Sequence, residues 1–250
     1  LWQCRKEKAF RTRNFAIGTE IDPRYISLIA TYLNPSGGLN LIENLNFITW
    51  NYDLQLQLAY QKFSDEEEIQ RGINSILPFE SNGSNKLKIC HLNGYCGFIK
   101  TFTEKDVFLL ERILPFKNLN QLLDAFHVEI SELYTERPSP IFTINFAWEK
   151  DNQRSNDIFT RALEIARETK TLVIVGYSFP IFNRDIDSKL FKEMIESGNL
   201  KRIYYQSKDA SEDFLRDTFE IIEKKQDSHE FKIKIIVEKE NMNQFIIPHT

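Results

Sequence analysis

The sequence predicts an α/β domain: a parallel sheet covered by helices in three layers, with a helical insertion over about residues 103–136. Three observations carry this expectation. In the C-terminal third, short β-branched runs alternate with helical patterns at roughly 15–25-residue intervals, the spacing of βαβ crossovers. Thr171-Leu-Val-Ile-Val175 is apolar throughout and too short for a helix, as a strand buried on both faces is. The 250 residues are 42% hydrophobic and 27% charged, which supplies a full core and excludes disordered and fibrous classes.

The elements follow in order. Asp22-Pro23 opens a helix over 22–33, with proline in the first turn, and Asn34-Pro35-Ser36-Gly37-Gly38 breaks it. Phe47-Ile48-Thr49-Trp50 reads as a short strand and 52–63 as a helix, with Leu54, Leu58 and Tyr60 apolar. Residues 65–85 are polar and punctuated by Gly, Ser and Asn, a surface excursion with one weak helix; the acidic run from Asp65 to Glu68 is its solvated start. Leu87-Lys-Ile-Cys90 is the next strand. From 103 to 136 the pattern is helical only, through Leu109, Leu110, Ile113, Leu122, Leu123, Phe126, Ile130 and Leu133. Arg137-Pro138-Ser139-Pro140 then leads directly into Ile141-Phe-Thr-Ile144, so the insertion belongs to a single domain spanning 1–250.

Further on, Asn156-Asp157 is read as the cap of a helix carrying Ile158, Ala162, Ile165 and Ala166 at helical spacing. A helix over 183–197 turns Ile186, Leu190, Met194 and Ile195 inward and stops at Gly198. A strand over 203–206, a helix over 211–225 and a strand over 231–237 complete the chain.

Several classes are excluded or disfavoured. No run of about 18 apolar residues exists to span a membrane. The first residues lack the apolar core of a signal peptide, and a reducing, cytoplasmic setting fits the three cysteines, Cys4, Cys90 and Cys96. Those cysteines contain no C-x-x-C pair, so no four-cysteine zinc site and no metal is expected. The net charge of −4, with basic residues scattered, gives no signal for nucleic acid. His127 reads as a core-edge residue, and His229 and His249 as solvated.

In open parallel sheets, ligands bind beyond the carboxyl ends of the strands. Asn51-Tyr52-Asp53 follows the first strand, His91-Leu92-Asn93-Gly94 the second, and Gly176-Tyr177-Ser178-Phe179-Pro180 follows Val175. Gln206-Ser207-Lys208-Asp209 ends the 203–206 strand. These amide, hydroxyl and small residues suit a sugar–phosphate, and they equally suit turns and caps. Asp53 in particular reads as the cap of the helix that follows it.

The set Ile48-Thr49-Trp50-Asn51-Tyr52-Asp53, His91-Leu92-Asn93-Gly94 and Val173-Ile174-Val175-Gly176-Tyr177-Ser178-Phe179-Pro180 resembles the bacterial SIR2-like domain. That family shows T-x-N-Y-D, H-L-H-G and G-Y-S-[FL]-P elements in this order. Asn183-Arg184-Asp185-Ile186-Asp187 and Ile203-Tyr204-Tyr205-Gln206 look like its continuation, so the resemblance spans roughly residues 45–210. It implies a Rossmann-like, sirtuin-related fold that binds NAD or ADP-ribose, and commonly NAD⁺ cleavage in anti-phage defence. A homo-oligomer or a partner protein is a further expectation.

Two departures stand out. The glycine-rich turn that seats a diphosphate at a helix N-terminus is missing: Gly18 is isolated and Gly37-Gly38 lies in a break. The chain opens on Leu1, and that first strand and turn are expected upstream of it. Asn93 also stands where the family has its catalytic histidine, with His91 two residues earlier and on the same side of an extended chain.

The first expectation is therefore an NAD⁺ glycohydrolase. Asn51 would hold a ribose hydroxyl or water, and His91 would act as base. Thr49, Asn51, Asp53, Asn93, Gly94, Gly176, Tyr177, Ser178 and Gln206 are expected around the dinucleotide. Trp50, Trp148 and Tyr177 are read as rings for core packing or for stacking on a base. The alternatives are a non-catalytic NAD or ADP-ribose sensor, which Asn93 motivates, and a sirtuin-type protein deacylase.

Overall fold

The computed structural model describes residues 21–32, 45–53, 55–56, 59, 88–100, 106–108, 124, 127, 131, 141–144, 153–221, 224–226, 229–231 and 233–248. Two parallel sheets organise them. The first pairs β1 (Asn46–Thr49) with β2 (Lys88–His91) in a register that sets Thr49 opposite His91. The second joins β6 (Thr171–Val175), β7 (Arg202–Gln206) and β10 (Lys234–Glu238), with β7 central. Its crossovers are α3 (Arg184–Glu196) and α4 (Glu212–Thr218), two consecutive βαβ units. An α/β architecture with parallel pairing is therefore the fold.

Successive side chains of a strand point to opposite faces, so one strand can feed two clusters. On β2, Ile89 joins a cluster with Leu28 and Ile29 of α1 (Pro23–Thr31), while Cys90 joins a cluster with Ala162 and Ala166 of α2 (Gln153–Glu168). Helices thus cover both faces of this sheet. The larger cluster continues through Ile174, Ile203, Tyr205, Leu190, Phe191, Leu215 and Ile235, each buried. Burying one such aliphatic side chain stabilises the fold by about 1.5–3 kcal/mol.

Local chemistry sets the helix ends. The Asp22 carboxylate accepts from the Arg24 N–H at 2.9 Å ahead of Pro23, and Ser211 Oγ accepts from the Phe214 N–H at 3.2 Å. Gly198 follows α3 at φ +71°, the left-handed position that ends a helix.

Several expectations are corrected. Helix α2 begins at Gln153, so Asn156-Asp157 lies inside it rather than capping it. Helix α3 turns Leu190 and Met194 into the core, with Ile186 and Ile195 half-buried against the same cluster as expected, and its inward face also includes Asp187 and Phe191. The supposed helical insertion contains a strand, β4 (Asp106–Phe108), although residues 124, 127 and 131 are helical. Strand β4 pairs antiparallel with β3 (Gly94–Lys100), which also pairs antiparallel with β5 (Ile141–Ile144). Ile141–Ile144 thus belongs to a separate antiparallel sheet. The expected helix over 211–225 stops at Thr218, and Phe231 falls in a hairpin of β8 (Lys224–Gln226) and β9 (His229–Phe231) rather than in β10.

The stop of α4 has a clear cause. Glu220 adopts φ +51°, and the Ile221 N–H reaches back to the Arg216 carbonyl at 3.1 Å, closing a Schellman turn without glycine. The expected excursion over 65–85 and the expected upstream turn lie outside the described residues.

Candidate functional site

The carboxyl ends of β1 and β2 meet those of β6 and β7. The Trp50 ring, directly after β1, stacks on Tyr177, directly after Gly176, with centroids 6.0 Å apart and planes 16° off parallel. The Tyr205 hydroxyl at the end of β7 donates to the Tyr177 carbonyl at 3.0 Å. The ladder of the first sheet runs on by one bond, from the Leu92 N–H to the Thr49 carbonyl at 2.9 Å. Four strand ends thus contribute to one region, as the sequence motifs predict.

Asn51 is the best-positioned residue there. Its N–H donates to Thr49 Oγ1 at 3.0 Å, and its carbonyl takes a hydrogen bond from His91 Nδ1 at 3.0 Å. Both backbone groups are held, while the side chain is exposed. His91 itself is 2% exposed, and burial lowers its pKa against the opposing pull of the Asn51 carbonyl and the Asp53 charge. A neutral imidazole facing a carbonyl must carry its proton on Nδ1, which leaves the lone pair on Nε2.

Asn93 is buried and donates through Nδ2 to the Trp50 carbonyl at 2.8 Å. It therefore fixes the residue that precedes Asn51. Gly94 sits at φ +69° and turns the chain into β3, a backbone role that glycine fills without strain. Asp53 Oδ1 accepts from the Gln55 N–H at 3.0 Å, the helix-capping contact that its position suggests.

The 176–180 loop is strained and strongly anchored. Gly176 has φ +60° and its N–H donates to the Gln206 carbonyl at 2.8 Å. Phe179 has φ +54°, a genuine outlier for a bulky residue. Packing holds it there: its buried ring lies 4.7 Å from Tyr177, 5.1 Å from Phe219 and 5.8 Å from Tyr205, and the Arg184 guanidinium donates to its carbonyl at 2.8 Å. Gly176 and Ser178 remain exposed at the rim.

Gln206 departs from expectation. It is 1% exposed, and Nε2 donates to the carbonyls of Asn241 at 2.5 Å and Gln244 at 2.6 Å, while Oε1 accepts from the Ile246 N–H at 3.1 Å. Both donors are spent on the C-terminal segment, so Gln206 is a structural clamp rather than a ligand contact.

Sequence reasoning passed over Asp187. Its carboxylate is 3% exposed and accepts from the Tyr177 hydroxyl at 2.9 Å and from the Trp50 indole. Asn183 Nδ2 donates to the Tyr177 hydroxyl at 3.0 Å. Burial is the largest influence on Asp187 and raises its pKa from 3.8 to about 7; the bonds from Tyr177 and Trp50 and the charge of Arg184 pull the other way. Burial and the Asp187 charge raise the Tyr177 hydroxyl as well, so it stays protonated. The overlooked signal was a carboxylate at i with Leu190, Phe191 and Met194 at i+3, i+4 and i+7.

Among the described residues, no three His, Cys, Asp or Glu side chains gather as a metal site, and no helix is long and apolar enough to cross a membrane. Cys90 is buried.

No protein-family model and no curated protein matches the chain. Solved structures do resemble it. Sir2Tm bound to a propionylated peptide matches at a TM-score of 0.45 and 14% identity, over 89% of this chain and 67% of that one. A Sir2 complex with a p53 peptide and NAD⁺ matches at 0.36 and 12%, over 64% of this chain and 53% of that one.

Proposed function

We propose that this chain is an NAD⁺ glycohydrolase that holds the ADP-ribose portion at the carboxyl ends of β1, β2, β6 and β7. The observation that carries the reading is Asn51, whose backbone is pinned on both sides and whose amide is exposed where the two parallel sheets meet. The order of the three motifs that resemble SIR2-like domains points the same way.

The chemistry asks for such a group. Cleaving the nicotinamide–ribose bond develops positive charge on the ribose, and nicotinamide departs with the bonding electron pair as a neutral molecule. Water adds to the ribose carbon and releases a proton, giving ADP-ribose. The Asn51 amide offers both a donor and an acceptor to a ribose hydroxyl or to that water. Exposed Ser178 and the Gly176 backbone supply a hydroxyl and close approach for the remaining sugar–phosphate. His91 supports Asn51 from behind through the carbonyl contact.

The assay is nicotinamide release by the full chain, with ADP-ribose binding measured by calorimetry. Removing a positioned polar group of this kind costs about 10²–10³ in rate, the effect expected for Asn51→Ala. Unchanged turnover in that variant defeats the reading. A second reading, a binding-only sensor, draws on one observation: Asn93, in the place of the family histidine, has turned its amide inward to the Trp50 carbonyl. Binding without any nicotinamide release selects it.

A further inference from the structure

We propose that Asp187 is a positioning residue for this site: its carboxylate takes the Trp50 indole and the Tyr177 hydroxyl together, locks the carboxyl end of β1 to that of β6, and thereby sets where Asn51 stands. The lock is read from contacts; its consequence for a ligand rests on the dinucleotide reading above.

The contacts form a chain from Asp187 to Asn51. Tyr177 donates to Asp187 at 2.9 Å and is itself fixed by Asn183 at 3.0 Å and, through its carbonyl, by the Tyr205 hydroxyl at 3.0 Å. Trp50 donates to the same carboxylate and stacks on Tyr177. The Trp50 carbonyl is held by Asn93 at 2.8 Å, and Asn51 is the next residue. A buried carboxylate that accepts from the ends of two sheets is costly without a purpose, because its desolvation is only partly offset.

The groups that face Asp187 among the described residues are few. Trp50 comes from the end of β1, Tyr177 from the loop after β6, and the Arg184 guanidinium from the first turn of its own helix. Only Arg184 is charged, and Tyr177 stays neutral. Asp187 is therefore the group that changes charge near neutrality. Hydrogen bonds to the ionised carboxylate are shorter and roughly twice as strong as those to the neutral acid. Ionisation tightens the lock, and protonation slackens it.

The test uses the full chain with Trp2→Phe and Trp148→Phe, so that Trp50 alone reports. Its emission is followed from about pH 5.5 to about pH 8.5, with ADP-ribose affinity measured across the same range. The expected result is an emission titration with a midpoint near 7 and an affinity that tightens about tenfold through that midpoint. In Asp187→Asn both should be flat, with affinity at the upper pH about tenfold weaker than in the parent. Tyr177→Phe, which keeps the ring and one of the two donors, should fall between them and covers the case in which Asp187→Asn does not fold. An emission titration that survives Asp187→Asn overturns the lock. Equal affinities in parent and variant across the range, with the emission titration abolished, overturn the positioning role. Absence of ADP-ribose binding at every pH, with the emission titration intact, sinks the dinucleotide reading and leaves the lock standing.

Discussion

Replacing Gln206 tests whether it is a clamp or a ligand contact. One amide satisfies three backbone groups of the C-terminal segment: the Asn241 and Gln244 carbonyls and the Ile246 N–H. That segment then reaches the first helix, where the Phe245 ring lies 5.1 Å from Tyr25 and 5.3 Å from the Arg24 guanidinium carbon, and the Met242 carbonyl accepts from Arg24. Gln206→Leu keeps the volume and removes all three bonds. At about 1 kcal/mol for each lost bond, plus the cost of stranding buried backbone groups, the variant should lose roughly 3–5 kcal/mol. Gln206→Glu is sharper, because an ionised carboxylate there faces two carbonyls and donates to neither. Its native-state pKa must therefore rise above the unfolded value, so its stability is greatest at low pH and is lost as pH rises through the raised pKa. Urea titrations at about pH 5 and about pH 8 give the two stabilities, and proteolysis within residues 239–248 reports release of the segment. If Gln206→Leu loses NAD⁺ affinity while its urea midpoint stays put, Gln206 contacts the ligand and the clamp assignment fails.

Asp187 predicts a second pH effect, on stability. Its pKa is raised on folding from 3.8 to about 7, so its contribution is full below about pH 4 and is lost as pH rises through 7. At about 1.4 kcal/mol per pH unit the difference amounts to roughly 4 kcal/mol, and the parent should lose that much more than Asp187→Asn between about pH 4 and about pH 8. Parallel stability curves for the two proteins contradict it. Glu220 pays for its left-handed backbone at the end of α4, so Glu220→Gly should raise stability by about 1 kcal/mol, read as a higher melting temperature. A lower melting temperature would mean that the Glu220 side chain outweighs the relief of strain.

The parts of the fold that the sequence made legible are those where local pattern and tertiary role agree. Thr171–Val175 is a strand as its β-branched run predicts, although only Ile174 is buried and Val175 is exposed rather than both faces being covered, and Gly198 ends α3 because a left-handed residue is needed there. Legibility fails where tertiary pairing or an atypical residue intervenes. Asp106–Phe108 sits in a stretch of helical spacing and becomes a strand only because β3 offers it an edge. Helix α4 was read too long because Glu220, not glycine, closes its turn. Asn51 and His91 stand out in the sequence because a break in apolar pattern marks each strand end, and the structure brings the His91 ring to the Asn51 carbonyl. Gln206 belongs to the same kind of strand end, but its partners lie 35 to 40 residues further along the chain, beyond any local signal.

The site's rigidity also follows from this division. A left-handed phenylalanine followed by proline is a poor local choice, since proline further disfavours helical backbone in the residue before it. Strain of this kind costs about 1–3 kcal/mol and persists only where surroundings over-determine it. Here the surroundings are identifiable: Tyr177, Tyr205, Phe191 and Phe219 enclose the Phe179 ring, and Arg184 holds its carbonyl. The same cluster fixes Tyr177, which Asp187 couples to Trp50 and so to Asn51. The aromatic core beneath the 176–180 loop therefore has two effects at once. It offsets the strained backbone, and it holds Tyr177, on whose ring Trp50, the residue before Asn51, stacks.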